Sequence, residues 1–486
     1  MTSVPGTRIP DRRLTVVLTA VAYFMVTLDA LVVVTALPSI HRDLGGSAGT
    51  LQWTVNAYNL SFAAGIITAA ALGDRLGRRR VYRVGLALFT AGSAACALAP
   101  DLDALIAFRA LQGCGAAIVM PLGLTMLTSA FPPERRGSVI GIWGGIAGLG
   151  VAAGPLVGGA VTQSLSWHWV FWVNIPIGIA ALAGSGFALS ESRGLRGRLD
   201  VPALVLASTG IGAFIWGLVQ GPQSGWASGR TVVSLAAGVL LVAAFLLWET
   251  RAPEPMIPLS LFRVGTFTAA VTTTFLMAGA IYSAVFLTSE FFQLARGDTP
   301  FGTGLRFLPW TATPLVVAPI AGLAFDKIGA RRLAVPGLTM QALGFAWIVH
   351  LAQAHAGYGS YVAPFVIAGV GVSMALPSLP SAGLNAMPAE LLGRAAGVLN
   401  TMQLLGATFG IAIVTVVFNA NGALTSPAAI TSGYEPALAV AAGLSGVGAI
   451  VALAVRRTGT NQAGALTPGV PDGLSRSADL AVTEVS

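Results

Sequence analysis

The sequence predicts an all-α membrane protein of fourteen transmembrane helices, and three observations predict it. First, 55% of the 486 residues are hydrophobic and only 9% are charged, where soluble domains carry about 25% charged residues. Second, the apolar residues gather into stretches of about 20, the length that crosses roughly 30 Å of hydrocarbon at about 1.5 Å per residue. Third, the basic residues fall almost wholly in every second loop, which is the pattern membrane topology imposes. The formal net charge of +8 does not mark a nucleic-acid-binding chain, because the basic residues form short clusters between apolar stretches without interleaved aromatics. Cys96 and Cys114 both lie in apolar stretches, which argues against a disulfide framework or a metal site.

Each span is delimited by the charges that flank it. Span 1 (14–36) follows Arg8, Arg12 and Arg13. Spans 2 and 3 (51–72 and 81–99) are parted by Arg75, Arg78, Arg79, Arg80 and Arg83, and spans 4 and 5 (104–129 and 138–161) by Arg135 and Arg136. Arg193, Arg196 and Arg198 separate spans 6 and 7 (169–190 and 202–220), and Arg251 and Arg263 separate spans 8 and 9 (231–249 and 266–290). Lys327, Arg331 and Arg332 lie between spans 10 and 11 (304–325 and 333–352), and Arg394 between spans 12 and 13 (361–385 and 394–418). Span 14 (435–455) precedes Arg456, Arg457 and Arg476. These make 22 of the 27 basic residues; the other face holds Arg42, Arg230, Arg296 and Arg306, and Arg109 lies within span 4. Both termini are therefore expected in the cytoplasm, in a multi-pass protein of the inner (plasma) membrane. The first span is too long for a cleavable signal and lacks its small-residue cleavage pattern. From Gly459 onward the chain is polar and rich in Gly, Pro and Ser, the composition of a disordered tail.

The chain repeats itself. Gly73-Asp-Arg-Leu-Gly-Arg-Arg-Arg80 after span 2 returns as Asp326-Lys-Ile-Gly-Ala-Arg-Arg332 after span 10, and Pro133-Glu134 leading to Arg136 before span 5 returns as Pro388-Ala-Glu390 leading to Arg394 before span 13. Both echoes are offset by eight spans. Spans 1–6 and 9–14 are thus two copies with spans 7 and 8 inserted between them, an arrangement that secondary transporters use for alternating access. The expected organisation is a cytoplasmic tail (1–13), a first six-helix bundle (14–190), a linker carrying the inserted helices (191–265), a second six-helix bundle (266–455) and a disordered cytoplasmic tail (456–486).

Span 5 carries Gly150, Gly154, Pro155, Gly158 and Gly159 in a run without a charged residue between Gly137 and Trp167. Glycine and proline weaken a helix in water, whereas membrane helices use small residues at four-residue spacing for backbone-to-backbone packing. This run predicts a packed, bendable hinge.

The pattern Gly150-x-x-x-Gly154-Pro155-x-x-Gly158-Gly159 resembles the motif of export antiporters in the major facilitator superfamily. Four further motifs resemble that superfamily in order: Leu28-Asp29 through Ala36-Leu37-Pro38 in span 1, the loop from Gly73 to Arg80, Leu105-x-x-x-Arg109-x-x-Gln112-Gly113 in span 4, and Trp167 through Asn174, Pro176 and Gly178 entering span 6. The first and last of these resemble the fourteen-helix drug:proton antiporter family. Two departures are Ala70 where the loop motif leads with glycine, which Gly322 supplies in the second copy, and His168 where arginine is usual. The resemblance implies the major facilitator fold, with two six-helix bundles and two additional helices. It also implies a monomer that exports a small-molecule drug or antibiotic in exchange for protons, with membrane lipid as its surroundings, no nucleic acid and no cofactor beyond the proton gradient. It further implies that spans 1 and 4 adjoin, and it assigns the loop of Asp74, Arg75, Gly77 and Arg78, with Asp326 and Arg331 in the second copy, a gating role.

A charge in the membrane costs about 2.5 to 3.5 kcal/mol on insertion scales and marks a pathway. Asp29 lies about 22 Å along span 1 and Arg109 about 8 Å into the oppositely directed span 4, so the two sit at one depth. A carboxyl that alternates between an arginine partner and an apolar surrounding is a proton carrier; the competing reading is a static ion pair that fixes helix packing. Glu290, at the outer boundary of span 9, is a secondary acidic candidate, with an interfacial role as its alternative. Asn56, Asn59, Gln112, Tyr282, Phe286, Asn400 and Gln403 are candidate cavity residues, alongside Thr272, Thr273, Thr274 and Met277 on the face of span 9; Asn174 and Gln341 are polar points suited to interhelical hydrogen bonds. A nutrient symporter on the same fold is the alternative function. A membrane enzyme is disfavoured, because His41, His168, His350 and His355 are dispersed.

Overall fold

The fourteen predicted spans become sixteen α-helices in the computed structural model, because two spans break at proline. The structure describes residues 12–46, 48–193, 200–252, 255, 257–353, 356–388, 391–423 and 425–456. Arg8, Arg196, Arg198, His355, Glu390 and the expected tail beyond Arg456 lie outside these residues, as do the side chains of Pro133, Glu134, Pro155 and Gly159. The helices are α1 (Arg12–Leu44), α2 (Ala48–Leu76), α3 (Arg78–Ala97), α4 (Leu102–Ala130), α5 (Pro133–Ser164), α6 (Trp169–Trp172), α7 (Asn174–Ala188) and α8 (Val201–Ser224). They continue with α9 (Gly229–Glu249), α10 (Gly265–Glu290), α11 (Pro300–Thr311), α12 (Thr313–Ile328), α13 (Arg331–Gln353), α14 (Tyr358–Asn385), α15 (Leu392–Asn421) and α16 (Pro427–Ala452).

Span 6 is α6 with α7, and span 10 is α11 with α12. Pro314 has no N–H for the carbonyl of Trp310, and the Thr313 hydroxyl donates to that carbonyl instead at 2.6 Å, which lets the break persist in an apolar setting. Helix α1 runs eight residues beyond its predicted end at residue 36. Its polar last turns are held from outside, since Trp167 Nε1 donates to Asp43 Oδ2 at 2.9 Å while the Trp167 ring stacks on His168. Twelve helical spans among the described residues are long and apolar enough to cross a membrane. Helix α3 falls short of that measure because Arg78, Arg79, Arg80 and Arg83 occupy its first two turns, and α5 is outside the twelve because several of its side chains lie outside the described residues.

Two sets of helices repeat the same packing. In the first, α1 packs on α5 and α7, α2 on α4, and α3 on α4 and α7. In the second, α10 packs on α15 and α16, α12 on α14, and α13 on α14 and α16. Helix α8 flanks the seam, touching α2 of one half and α15 of the other, with α9 packed against it. Most of α9 is left exposed, as a lipid-facing helix should be. Across the seam α5 lies on α12 and α2 on α15, the two members of one symmetric pair. The largest apolar cluster spans the halves there, taking in Ile140 and Trp143 from α5 and Leu384, Leu399 and Phe267 from the second half.

Candidate functional site

Four buried polar side chains from three helices meet in the middle of the first half. Arg109 Nη1 on α4 pairs with Asp29 Oδ2 on α1 at 2.5 Å, and both side chains are 0% exposed. The other carboxylate oxygen, Oδ1, accepts from Gln112 Nε2 at 2.9 Å and from Asn174 Nδ2 on α7 at 2.8 Å. Arg109 is itself over-determined: Nε donates to the Thr54 carbonyl of α2 at 3.0 Å and Nη1 to Gln112 Oε1 at 2.7 Å. Its guanidinium lies 4.2 Å from the centre of the Tyr58 ring, a contact that gains strength when desolvated. Asn174 also donates to Ser93 Oγ at 3.0 Å, and Ser93 donates to the Phe171 carbonyl at 2.9 Å. Arg109 Nη2 and Asn174 Oδ1 remain without a hydrogen-bond partner. In a low-dielectric interior such a network holds a carboxylate only while Arg109 faces it, since either charge alone is costly to bury. Gln112 therefore belongs to this network, because its i+3 spacing from Arg109 puts both amide atoms to use on charged neighbours.

At the arginine-rich end, the two repeated loops meet helix N-termini of the opposite half. The Asp326 carboxylate, at the end of α12, accepts from the backbone amides of Gly137 at 3.2 Å and Ser138 at 3.3 Å near the start of α5. Asp74, at the end of α2, lies against the first turn of α15, where a Cβ on Gly393 would strike its carboxylate. Arg78 Nε pairs with Asp74 Oδ1 at 2.8 Å, both side chains buried, and Oδ2 has no hydrogen-bond partner. A carboxylate beside orphan amides at a positive helix end is a favourable arrangement. Gly77 and Gly329 turn each loop at φ values of 108° and 84°, where a side chain is strained. Arg136 Nη1 reaches Asn385 Oδ1 at 3.3 Å across the same seam. Arg75 is half-buried and Arg331 exposed; the second copy has Ala330 where Arg78 stands in the first, and Arg331 forms no salt bridge to Asp326.

Helix α5 uses two glycine faces. A Cβ on Gly150 would come within 3.0 Å of the Phe24 carbonyl on α1, so the predicted backbone contact is with α1; Gly154 and Gly158 on the same helix are buried. One turn series earlier, Gly137, Gly141 and Gly145 face α12: a Cβ on Gly141 would lie 2.5 Å from the Ala318 carbonyl and 3.0 Å from Gly322 Cα, and one on Gly145 3.2 Å from the Pro314 carbonyl. The sequence reading missed this second stripe, although its four-residue spacing was the available signal. The departure at Ala70 also has a cause, since its methyl lies opposite Gly397.

The remaining candidates divide. Tyr282 is exposed on α10 and its phenol faces the Gln403 amide of α15, while Asn56, Asn59 and Gln403 are half-buried. Asn400 is buried and turns its amide back onto the Ala396 carbonyl of its own helix at 2.8 Å. Phe286 packs on the aromatic cluster of the second half. Thr273, Thr274 and Met277 are likewise buried, while Thr272 is exposed. Glu290 ends α10, half-buried and without a salt bridge among the described residues. Glu191 was not anticipated: it accepts from the amides of Arg79 and Arg80 at 3.0 and 3.3 Å and so caps α3.

A repeated helical bundle with a sealed ion pair in one half and reciprocal loop contacts across the seam defines a secondary transporter scaffold. The chain belongs to the major facilitator superfamily, whose family model matches residues 19–411. It is 36% identical over 409 residues to the multidrug resistance protein Stp of Mycobacterium tuberculosis (strain CDC 1551 / Oshkosh), covering 84% of this chain and 76% of that protein. It is 36% identical over 405 residues to the tetracenomycin C resistance and export protein of Streptomyces glaucescens, covering 83% and 75%. The crystal structure of the human organic anion transporter MFSD10 superposes with a TM-score of 0.65 at 16% identity, covering 91% of this chain and all of that one, a likeness of fold.

Proposed function

We propose that this protein exports amphipathic or lipophilic small molecules, antibiotics among them, from the cytoplasm or inner leaflet in exchange for protons. The observation that carries the reading is the fully buried Asp29–Arg109 pair with its two amide donors, a place inside the apolar spans where a single proton changes the balance of a desolvated charge. Protonation of Asp29 from outside releases α1 from α4, while Arg109 stays tied to α2 through Thr54 and Tyr58. Helix α1 packs on α5 at Gly150, and α5 carries the Asp326 contact toward its other end, so a shift of α1 reaches the seam through one helix. The names of the relatives support drugs and antibiotics as cargo, and the loop charges support both termini in the cytoplasm. Proton entry supplies about 2.3 kcal/mol per 100 mV of membrane potential, so one proton sustains a tenfold or larger gradient of a neutral substrate, which needs about 1.4 kcal/mol.

Inside-out vesicles test the reading. With the lumen acidified, ethidium or the antibiotic that the protein confers resistance to accumulates inside and collapses with a protonophore; uptake indifferent to the pH gradient overturns proton exchange, and uptake that requires an alkaline lumen reverses its direction.

A further inference from the structure

The two copies of the repeated loop hold their arginines differently. In the first, Glu191, the third residue beyond the end of α7, lies 4.0 Å from Arg79 Nε and 3.9 Å from Arg80 Nε in addition to accepting from their backbone amides. Arg79 Nη1 also donates to the Leu189 carbonyl at 3.1 Å, so the segment after α7 is fastened onto the loop. In the second copy Arg331 and Arg332 stand where Arg79 and Arg80 do. The third residue beyond the end of α16 is Val455, fully buried, and the next is Arg456. A carboxylate has been replaced by an apolar side chain and a third guanidinium. None of Arg331, Arg332 and Arg456 has an ion-pair partner among the described residues, and all three are exposed.

They surround a groove of two adjoining lobes, about 410 and 280 Å³, that share Arg331 and Arg332; Arg456 lines the second lobe, Val335, Pro336 and Leu453 line the first, and among the described residues no acidic one lines either. The groove opens at the arginine-rich ends of two membrane-spanning helices, α13 and α16. A soluble anion needs only the charges, whereas a groove with an apolar wall beside three guanidinium groups at the level of a membrane boundary suits a headgroup phosphate with the glycerol and first methylenes of its chains.

We propose that this groove binds one anionic phospholipid, whose phosphate sits among Arg331, Arg332 and Arg456 and fastens α16 to the α12–α13 loop as Glu191 fastens α7 to the α2–α3 loop. Native mass spectrometry of the full-length protein from micelles of mixed phosphatidylglycerol and phosphatidylcholine tests it. The wild type retains phosphatidylglycerol in preference, and the triple substitution Arg331→Gln, Arg332→Gln, Arg456→Gln lowers that retention on the order of tenfold or more. Val455→Glu, which restores the carboxylate of the first copy, lowers it with every arginine still present. Because the arginines are exposed, the triple variant keeps its packing and carries the test even where Val455→Glu does not fold. Unchanged retention in the triple variant overturns the proposal; so does full displacement of the phosphatidylglycerol by millimolar inorganic phosphate, which marks a soluble-anion site.

Discussion

At the residue scale the protein turns on how many partners one guanidinium satisfies. Arg109 bonds a carboxylate, a side-chain amide and a backbone carbonyl and stacks on Tyr58, which a planar fork achieves and a single ammonium does not. Arg109→Lys is therefore expected to cut the initial rate of proton-driven efflux at least tenfold while the protein still reaches the membrane; a rate near wild type would show that charge alone suffices. Asn174→Leu removes a donor from Asp29 and a partner from Ser93. A hydrogen bond to a charged group contributes about 1.5 to 3 kcal/mol, so a lower thermal unfolding midpoint in detergent is expected; an unchanged midpoint would mean that Arg109 and Gln112 suffice to hold the carboxylate. Asp29 and Arg109 were legible in the sequence, because charges inside apolar spans stand out. That Gln112 joins this network was not legible, because spacing along one helix does not reveal which neighbour a polar side chain meets. Glu191 was invisible for the same reason: it lies 112 residues from the amide of Arg79 it caps.

At the scale of elements, α5 is the part that both halves share. One stripe, Gly137, Gly141 and Gly145, lets α12 approach, and the Gly150 face lets α1 approach. Adding a methyl group at Gly141 drives it into the Ala318 carbonyl and Gly322, and overpacking of this kind costs about 1 to 3 kcal/mol. Gly141→Ala is thus expected to shift the balance away from the closed arginine-rich end by roughly 5- to 150-fold, read as longer distances between spin labels on α5 and α12; an unaltered distance distribution would remove this stripe from the closure. Asp326→Ala withdraws the acceptor from Gly137 and Ser138. By analogy with lost helix caps, about 0.5 to 2 kcal/mol, the same labels should report a smaller shift in the same direction. The fourteen-span count was legible because each span is apolar and bounded by charge. The splits at α6–α7 and α11–α12 were not, since Pro176 and Pro314 sit in runs whose apolar character continues through the break, and the reciprocal hydroxyl of Thr313 appears only in three dimensions.

At the scale of the whole molecule, hydrogen bonds from the amides of Gly137 and Ser138 to Asp326 and from Arg136 to Asn385 cross the seam at the arginine-rich end, so the two halves are latched to each other there. If that latch alternates in each cycle, a disulfide between cysteines introduced at Ser138 and Asp326 stops transport, and a reductant restores it; transport that continues through the cross-link would exclude the alternation. The repeat that builds this seam was legible from two echoes, Asp74 with Asp326 and Arg136 with Arg394, because a loop fixed by a glycine turn and a helix-end charge tolerates few sequences. That the halves are latched at this end was not legible, since the partners lie in distant parts of the sequence. The central claim, that Asp29 exchanges the coupling proton, is tested most directly in inside-out vesicles carrying Asp29→Asn. The account predicts that accumulation driven by a pH gradient is lost while counterflow exchange of the same substrate persists; accumulation at the wild-type level would contradict it.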